Sequence, residues 1–417
     1  MTDARHAVVS GASIAGLTAA YWLRRTGWEV TVLERAPAFR DGGQNVDVRG
    51  AGRDVLDRMN LTDAVRAQNT TETSTVLLGT DGRMIGELPG PDGAGGPDTA
   101  TAELEILRGD FATTILDHLP GGIDIRYGDP ISSAAQDADG VTLTTARGHR
   151  LRAGLLVIAE GVRSRTRDQV FAGTVARRDL GITMVFGTIP RTGTDNTTWR
   201  FCTTTGGRQI HLRPDNHGTT RAILAYKEKE APARLDRRAT LSQARERYAD
   251  AGWEAPRVLD AFDATDDLYV DRLTQIRMPA WHRGRICVIG DAAWSVTPMG
   301  GGGASLALIG AYVLAACLSA QQSNTSAGDG SAIGTALTAY ETWMRPVAEK
   351  AQKLHPWVVS SAFPTTRPGL ALRDLTGKIL TRPWLAPLTA KLTQVADTGQ
   401  SLPEITLHDT GTGPASR

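Results

Sequence analysis

Short apolar runs near both ends of the chain frame a middle section that alternates. Residues 6–10 and 29–34 are apolar runs of strand length, and between them Ala15 to Thr26 places Leu17, Ala20, Tyr21 and Leu23 at helical spacing. That pattern predicts a strand–helix–strand unit of about 30 residues. Helical periodicity is predicted over 52–68 and over Ile106–Leu119, the latter entered through Arg108, with strands near 123–127, 141–145 and 155–159. Between about 175 and 275 the pattern changes. Gly181–Ile189, Thr197–Thr203, Arg208–Leu212 and Arg221–Tyr226 are short β-type runs parted by turns, followed by a helical stretch at Leu241–Ala251 and a strand at Leu268–Thr274. Near 285 the apolar α/β pattern returns. Pro89–Ala100 and Gln321–Gly334 read as loops, helices follow to about 398, and 403–417 are expected to be disordered.

This order predicts an α/β protein: a discontinuous α/β domain (1–75, 100–174 and 276–320) interrupted by a mostly antiparallel sheet domain (76–99 and 175–275), then C-terminal helices (335–400). A chain of 417 residues has the length for two domains. One run, Ala304–Ala320, is uncharged and almost wholly apolar, at the lower edge of what spans a bilayer. It follows a glycine run and lacks a flanking Lys or Arg cluster, so a buried helix is expected rather than a membrane span. Net charge is +1, which gives no footing for a nucleic-acid or anionic-membrane partner. The first lysine is Lys227, which removes Schiff-base and P-loop lysine chemistry from the first half. Cys202, Cys287 and Cys317 are far apart, with no metal spacing, so no metal is expected. The same cysteine usage and the absence of an apolar leader point to a reduced, cytoplasmic protein.

Three motifs carry the chemistry. Gly11-x-Ser13-x-x-Gly16 follows the first strand and opens the first helix, with Ile14 and Ala15 inside it. Gly11 permits the tight turn, Ser13 is small enough for a pyrophosphate to approach, and Gly16 lets helix and strand pack closely. The helix N-terminus supplies free N–H groups to an anion. Glu34 ends the second strand, where a carboxylate suits free ribose hydroxyls, as in FAD or NAD, and repels a 2′-phosphate. Leu155–Gly161 is the middle motif, with Glu160. Late in the chain, Gly290-Asp291 ends an apolar strand and precedes Pro298-Met299 and four glycines. Asp291 is placed to hold a ribityl hydroxyl, which FAD has and NAD lacks. The glycines, Gly301, Gly302 and Gly303 among them, let backbone press on a flat ring. The apolar helix after them aims its N-terminus at that ring.

With these segments the chain resembles the class A flavoprotein aromatic hydroxylases, of the para-hydroxybenzoate hydroxylase type, and within them the tetracycline-inactivating monooxygenases. The resemblance covers roughly 5–172 and 275–320, and matches the middle sheet only in kind. It implies a Rossmann-like FAD-binding domain with an inserted substrate sheet. Leu33-Glu34-Arg35 and Arg40 to Asp47, with Gln44, resemble the subgroup's cofactor-contacting stretch. The resemblance implies FAD contacts at Arg35, Gln44, Asp47 and Arg108, and a nicotinamide contact at Arg40. It implies FAD contacts also at Asp291, Pro298 and the glycines. The family's middle motif reads Asp-Gly; here it is Glu160-Gly161, one methylene longer, and the resemblance implies a cofactor contact at Glu160.

The resemblance implies that NADPH or NADH reduces FAD, that O2 adds to form a flavin C4a-hydroperoxide, and that one oxygen passes to a small aromatic or polyketide-like substrate. Baeyer–Villiger insertion and epoxidation use the same intermediate. A flavin-containing cyclase, isomerase or dehydrogenase without oxygen transfer is the reading of another class. The flavin performs the chemistry, so no catalytic side chain is required. His211 and Arg213, two apart on a strand, share a face and are candidate substrate contacts, as is Met299. A monomer or homodimer is expected.

Overall fold

Apolar runs bounded by glycines make the first sheet. Its order is His282–Arg283, Ile286–Val288, Leu155–Ile158, His6–Ser10, Glu29–Glu34 and Ile123–Tyr127, parallel except for the two-residue edge strand. Strands buried on both faces need no polar alternation, and Leu155–Ile158 and Ile286–Val288 are buried throughout. The structure, a computed structural model, describes residues 5–40, 42–90, 103–229, 236–322, 330–382 and 398–407. Of the loop expected over 89–100, residues 91–100 lie outside the described residues. So do residues 323–329 of the second loop, 383–397 of the C-terminal helices and 408–417 of the tail.

The helix Ile14–Arg25 joins the first two parallel strands. Gly303–Gln322 packs against it and against Ala51–Met59 and Gly330–Ala351. The stretch Gly303–Gln321 is long and apolar enough to cross a membrane, yet 78% of its apolar window lies buried inside the protein. It is the central helix of the larger core.

The second large sheet has seven strands, in the order Leu268–Arg277, Ala176–Pro190, Thr219–Lys227, Arg208–Pro214, Thr198–Thr204, Ser74–Leu78 and Met84–Pro89. All of its pairs are antiparallel except Thr198–Thr204 with Ser74–Leu78. One face packs on helices Arg237–Tyr248 and Ala255–Ala264. The other carries Met184, Phe186 and Ile223, and meets Leu354, Val359 and Phe363 from the C-terminal segment.

Several expectations change in detail. The helix over 52–68 is two helices, Ala51–Met59 and Thr62–Ala67, because Asn60 turns left-handed (φ 55°) and caps the first. Ile106 and Leu107 close a strand, Leu104–Leu107, and the helix begins at Arg108. That strand pairs antiparallel with Asn45–Val48, Asp47 facing Glu105 in register. Four residues are too few to show a period, so neither strand is visible in the hydrophobic pattern. A further helix, Ala255–Ala264, lies beyond the expected elements, with Pro256 in its first turn.

Candidate functional site

Four strand ends meet at the carboxyl edge of the parallel sheet. Ala159 N donates to Ser10 O (2.8 Å), Ile289 N to Ile158 O (2.9 Å) and Gly11 N to Leu33 O (2.7 Å). Gly11, Glu160 and Asp291, far apart in sequence, therefore sit side by side where open α/β sheets take ligands. Close packing explains the glycines. A Cβ on Gly16 would lie 1.8 Å from Gly11 O, and one on Gly11 would lie 2.5 Å from Ala159 O. Gly290 (φ +58°) would place a Cβ 2.8 Å from the Cβ of Ala15, so the first and third motifs touch.

Glu34 holds the loop from the second strand. One carboxylate oxygen accepts from Ala12 N (2.9 Å) and the other from Ala36 N (2.8 Å). Arg35 is exposed beside it, and Arg40 is exposed further along. Arg108 reaches back to the loop: its guanidinium donates to Gly42 O (2.9 Å) and, at 3.4 Å, to Ser13 Oγ. Its own N–H donates to Gln44 O (2.9 Å), and Gln44 Oε1 is buried with no hydrogen-bond partner. Ser13, Ile14, Gln44 and Arg108 thus form one wall of the cleft. Asp47 sits behind it, paired with Arg49 at 2.9 Å.

Asp291 opens a short helix, Asp291–Trp294, and its side chain is exposed. Yet desolvation, then the charge of Asp271, push its carboxyl up to about 6, against the pull of Arg108. The carboxyl is thus open to water at the edge of the parallel sheet and crowded by groups of the second sheet. Asp271 and Tyr269 face it from the second sheet, and Tyr269 stacks on Phe186 at 4.8 Å. Neither residue carries a sequence signal beyond strand alternation. Pro298 is exposed, and Gly301 and Gly302 take left-handed φ of 67° and 68° before the helix that begins at Gly303. Met299 packs on the apolar face of the second sheet.

Two site residues differ from expectation. Glu160 turns inward: Ser10 Oγ (2.5 Å), Thr166 Oγ1 (2.6 Å), Ser164 Oγ (2.7 Å) and Thr166 N (3.1 Å) all donate to it. The extra methylene lets the carboxylate reach the start of the helix Arg165–Val170 and brace it. Arg213 does share a face with His211, but it is not free for a ligand. Its guanidinium lies between Glu72 (2.9 Å) and Glu105 (2.9 Å), with Trp199 4.1 Å beneath. The substrate contact expected of Arg213 is corrected on that ground: two buried carboxylates already hold its donors. His211 stays open. Burial, then Arg213, lower its pKa to about 3, so the ring is neutral. Gln209 Nε2 donates to Ala362 O (2.8 Å), which turns Gln209 Oε1 to His211 Nε2 (3.2 Å). Nε2 therefore carries the hydrogen, and the buried Nδ1, which has no partner, is an acceptor.

Comparison with known proteins places this geometry. Residues 5–354 match the FAD binding domain family. An uncharacterized protein of Mycobacterium tuberculosis strain CDC 1551 is 34% identical over 87% of this chain and 94% of its own length. The flavin-dependent monooxygenase eupH of a Phoma species is 33% identical over 74% of this chain and 76% of its own. The crystal structure of tetracycline destructase Tet(55) superposes with a TM-score of 0.78 at 25% identity, covering 97% of this chain and all of that one.

Proposed function

The chain belongs to the FAD binding domain family and is a flavin-dependent monooxygenase, and from that premise we propose which of its residues hold the cofactor and what it oxidises. The Gly11–Gly16 loop and the helix behind it take the pyrophosphate, with Ser13 small and Ile14 and Ala15 offering backbone N–H groups. Glu34 keeps lone pairs for the adenosine ribose, with Arg35 beside it. Arg108 and Gln44 flank the middle of the cofactor, the orphaned Gln44 Oε1 accepting from it. Asp291 takes a ribityl hydroxyl, and Pro298 with Gly301, Gly302 and Gly303 borders the ring. Asp47 supports this wall from behind, and Glu160 braces the loop rather than touching the cofactor. Arg40, exposed, is the candidate contact for NADPH or NADH.

Bound FAD supplies reduction by NAD(P)H and activation of O2. The chain positions the substrate. His211 Nδ1 accepts a hydrogen bond from a phenolic or enolic hydroxyl, and its neutral ring adds no charge. Met184, Phe186, Ile223 and Met299 give that hydroxyl's ring an apolar wall against the second sheet. The substrate is thus a small aromatic or polyketide-like molecule bearing such a hydroxyl, and the reaction is hydroxylation. The observation that carries this reading is the unpaired acceptor at His211, fixed in tautomer by Gln209 and Ala362. The test is NAD(P)H oxidation stimulated by phenols and enols under isotopically labelled dioxygen. Label should enter a hydroxyl of the product, and the His211→Phe protein should raise KM. Product without label, or stimulation only by compounds lacking a hydroxyl, defeats the reading.

A further inference from the structure

The buried contact between the second sheet and the cofactor wall is ionic and uneven. Arg213, on the sheet, meets Glu72 through two nitrogens, Nε at 2.9 Å and NH2 at 3.2 Å. The same NH2 meets Glu105 Oε1 at 2.9 Å. The side chains of Glu72, Glu105 and Arg213 are 0%, 3% and 11% exposed. Glu72 thus has the fork geometry of an ionised carboxylate. Glu105 does not. Its Oε1 receives Asn45 Nδ2 (2.7 Å), Thr70 Oγ1 (3.0 Å) and Arg213, while its Oε2 is buried with no partner. Asn45 Oδ1 is buried without a partner as well. Two neighbouring buried acceptors lacking a donor are costly. A hydrogen on Glu105 would supply one.

Charge counting agrees. Asp47 pairs with Arg49, and His211 is neutral, so the groups facing the cluster add little net charge. One guanidinium cannot neutralise two buried carboxylates.

We propose that Glu72, Arg213 and Glu105 form a positioning cluster that holds one proton, carried by Glu105, and that locks the substrate sheet onto the strand leading into Arg108. Glu105 stands three residues before Arg108 and faces Asp47 in register. A shift of this strand therefore moves Arg108, the residue that reaches both Ser13 and Gly42. Desolvation, opposed by Arg213, raises both carboxyls, Glu72 to about 8 and Glu105 in the same direction. The two carboxyls titrate as a pair, and the Arg213 fork on Glu72 leaves Glu105 as the member that keeps the hydrogen.

The test is urea unfolding of the full-length FAD-loaded protein across pH. A carboxyl whose folded pKa is raised gives its full stabilisation below its ordinary value and loses it as pH climbs to the folded one. The folding equilibrium constant should then fall by up to about tenfold per pH unit between roughly pH 4.5 and 8 from this cluster alone. In Glu105→Gln, where an amide donor replaces the acid, that part of the slope should vanish. FAD affinity should be kept in Glu105→Gln and lost at least about tenfold in Glu105→Ala. Equal slopes in the wild type and Glu105→Gln overturn the proposal, as does FAD binding equally weak in both variants. If Glu105→Gln does not fold, Glu72→Gln carries the test: one carboxylate then faces Arg213 and must ionise, so a persisting slope overturns the proposal. The affinity arm rests on the cofactor assignment above, whereas the slope arm needs no substrate and stands without it.

Discussion

Asp291 shows how much one side chain decides. It is the acidic group at the carboxyl edge of the parallel sheet, and its neighbours Asp271 and Tyr269 come from the other sheet. Asp291→Ala should leave the circular dichroism of the fold in place while FAD binds at least about tenfold more weakly, roughly 1.4 kcal/mol, as read by flavin absorbance after gel filtration. Full retention of flavin would remove Asp291 from the site. Its raised pKa has a further sign. Folded apoprotein holds a proton there between the ordinary carboxyl range and about 6, so apoprotein stability should fall as pH rises through that window. In Asp291→Asn that part of the fall should disappear in urea titrations. Asp291 was readable in the sequence because glycine and a long apolar run isolate it. Glu72 was not: it stands among threonines, and its partner Arg213 is 141 positions away. Arg213 was placed on the correct face by alternation, but alternation says nothing of the carboxylates that meet that face.

Elements carry the next layer of information. The first strand–helix–strand unit was legible because strand period, glycine turn and helix period follow each other without overlap. The pairing of Asn45–Val48 with Leu104–Leu107 was not, since each is four residues long and its stability comes from a distant partner. Short elements depend on their ends. The helix Arg165–Val170 has Ser164 as its N-cap, whose Oγ accepts from Arg167 N and donates to Glu160. Ser164→Ala should cost about 1 kcal/mol, seen as a lower thermal midpoint. Glu160→Asp, one methylene shorter, should lower the midpoint in the same direction, because its carboxylate can no longer reach Ser10 and Thr166 together. An unchanged midpoint in both would show that the brace is not needed to hold the helix.

On the scale of the whole molecule, the apolar face of the second sheet is closed by the C-terminal segment. Phe363 is 1% exposed and packs with Met184, Phe186 and Ile223. Phe363→Ala should destabilise by about 4 kcal/mol in chemical denaturation, and should also raise KM for bulky substrates less than for small ones, since it enlarges the same apolar wall. The broad architecture was legible in the change of pattern near 175 and its return near 285. The closure of the sheet by residues after 350 was not, because amphipathic helices do not declare which surface they cover.

The side-by-side strand ends at Gly11, Glu160 and Asp291 also set the order of events during synthesis. The loop that begins the site leaves the ribosome early, but the strand Ile286–Val288 and Asp291 after it are made only once the second sheet is complete. Until then the parallel sheet lacks Ile286–Val288, and the apolar edge of Leu155–Ile158 is unpaired. Such an edge invites wrong pairing, and contacts this distant in sequence form slowly. Cofactor capture is therefore an event of the finished chain.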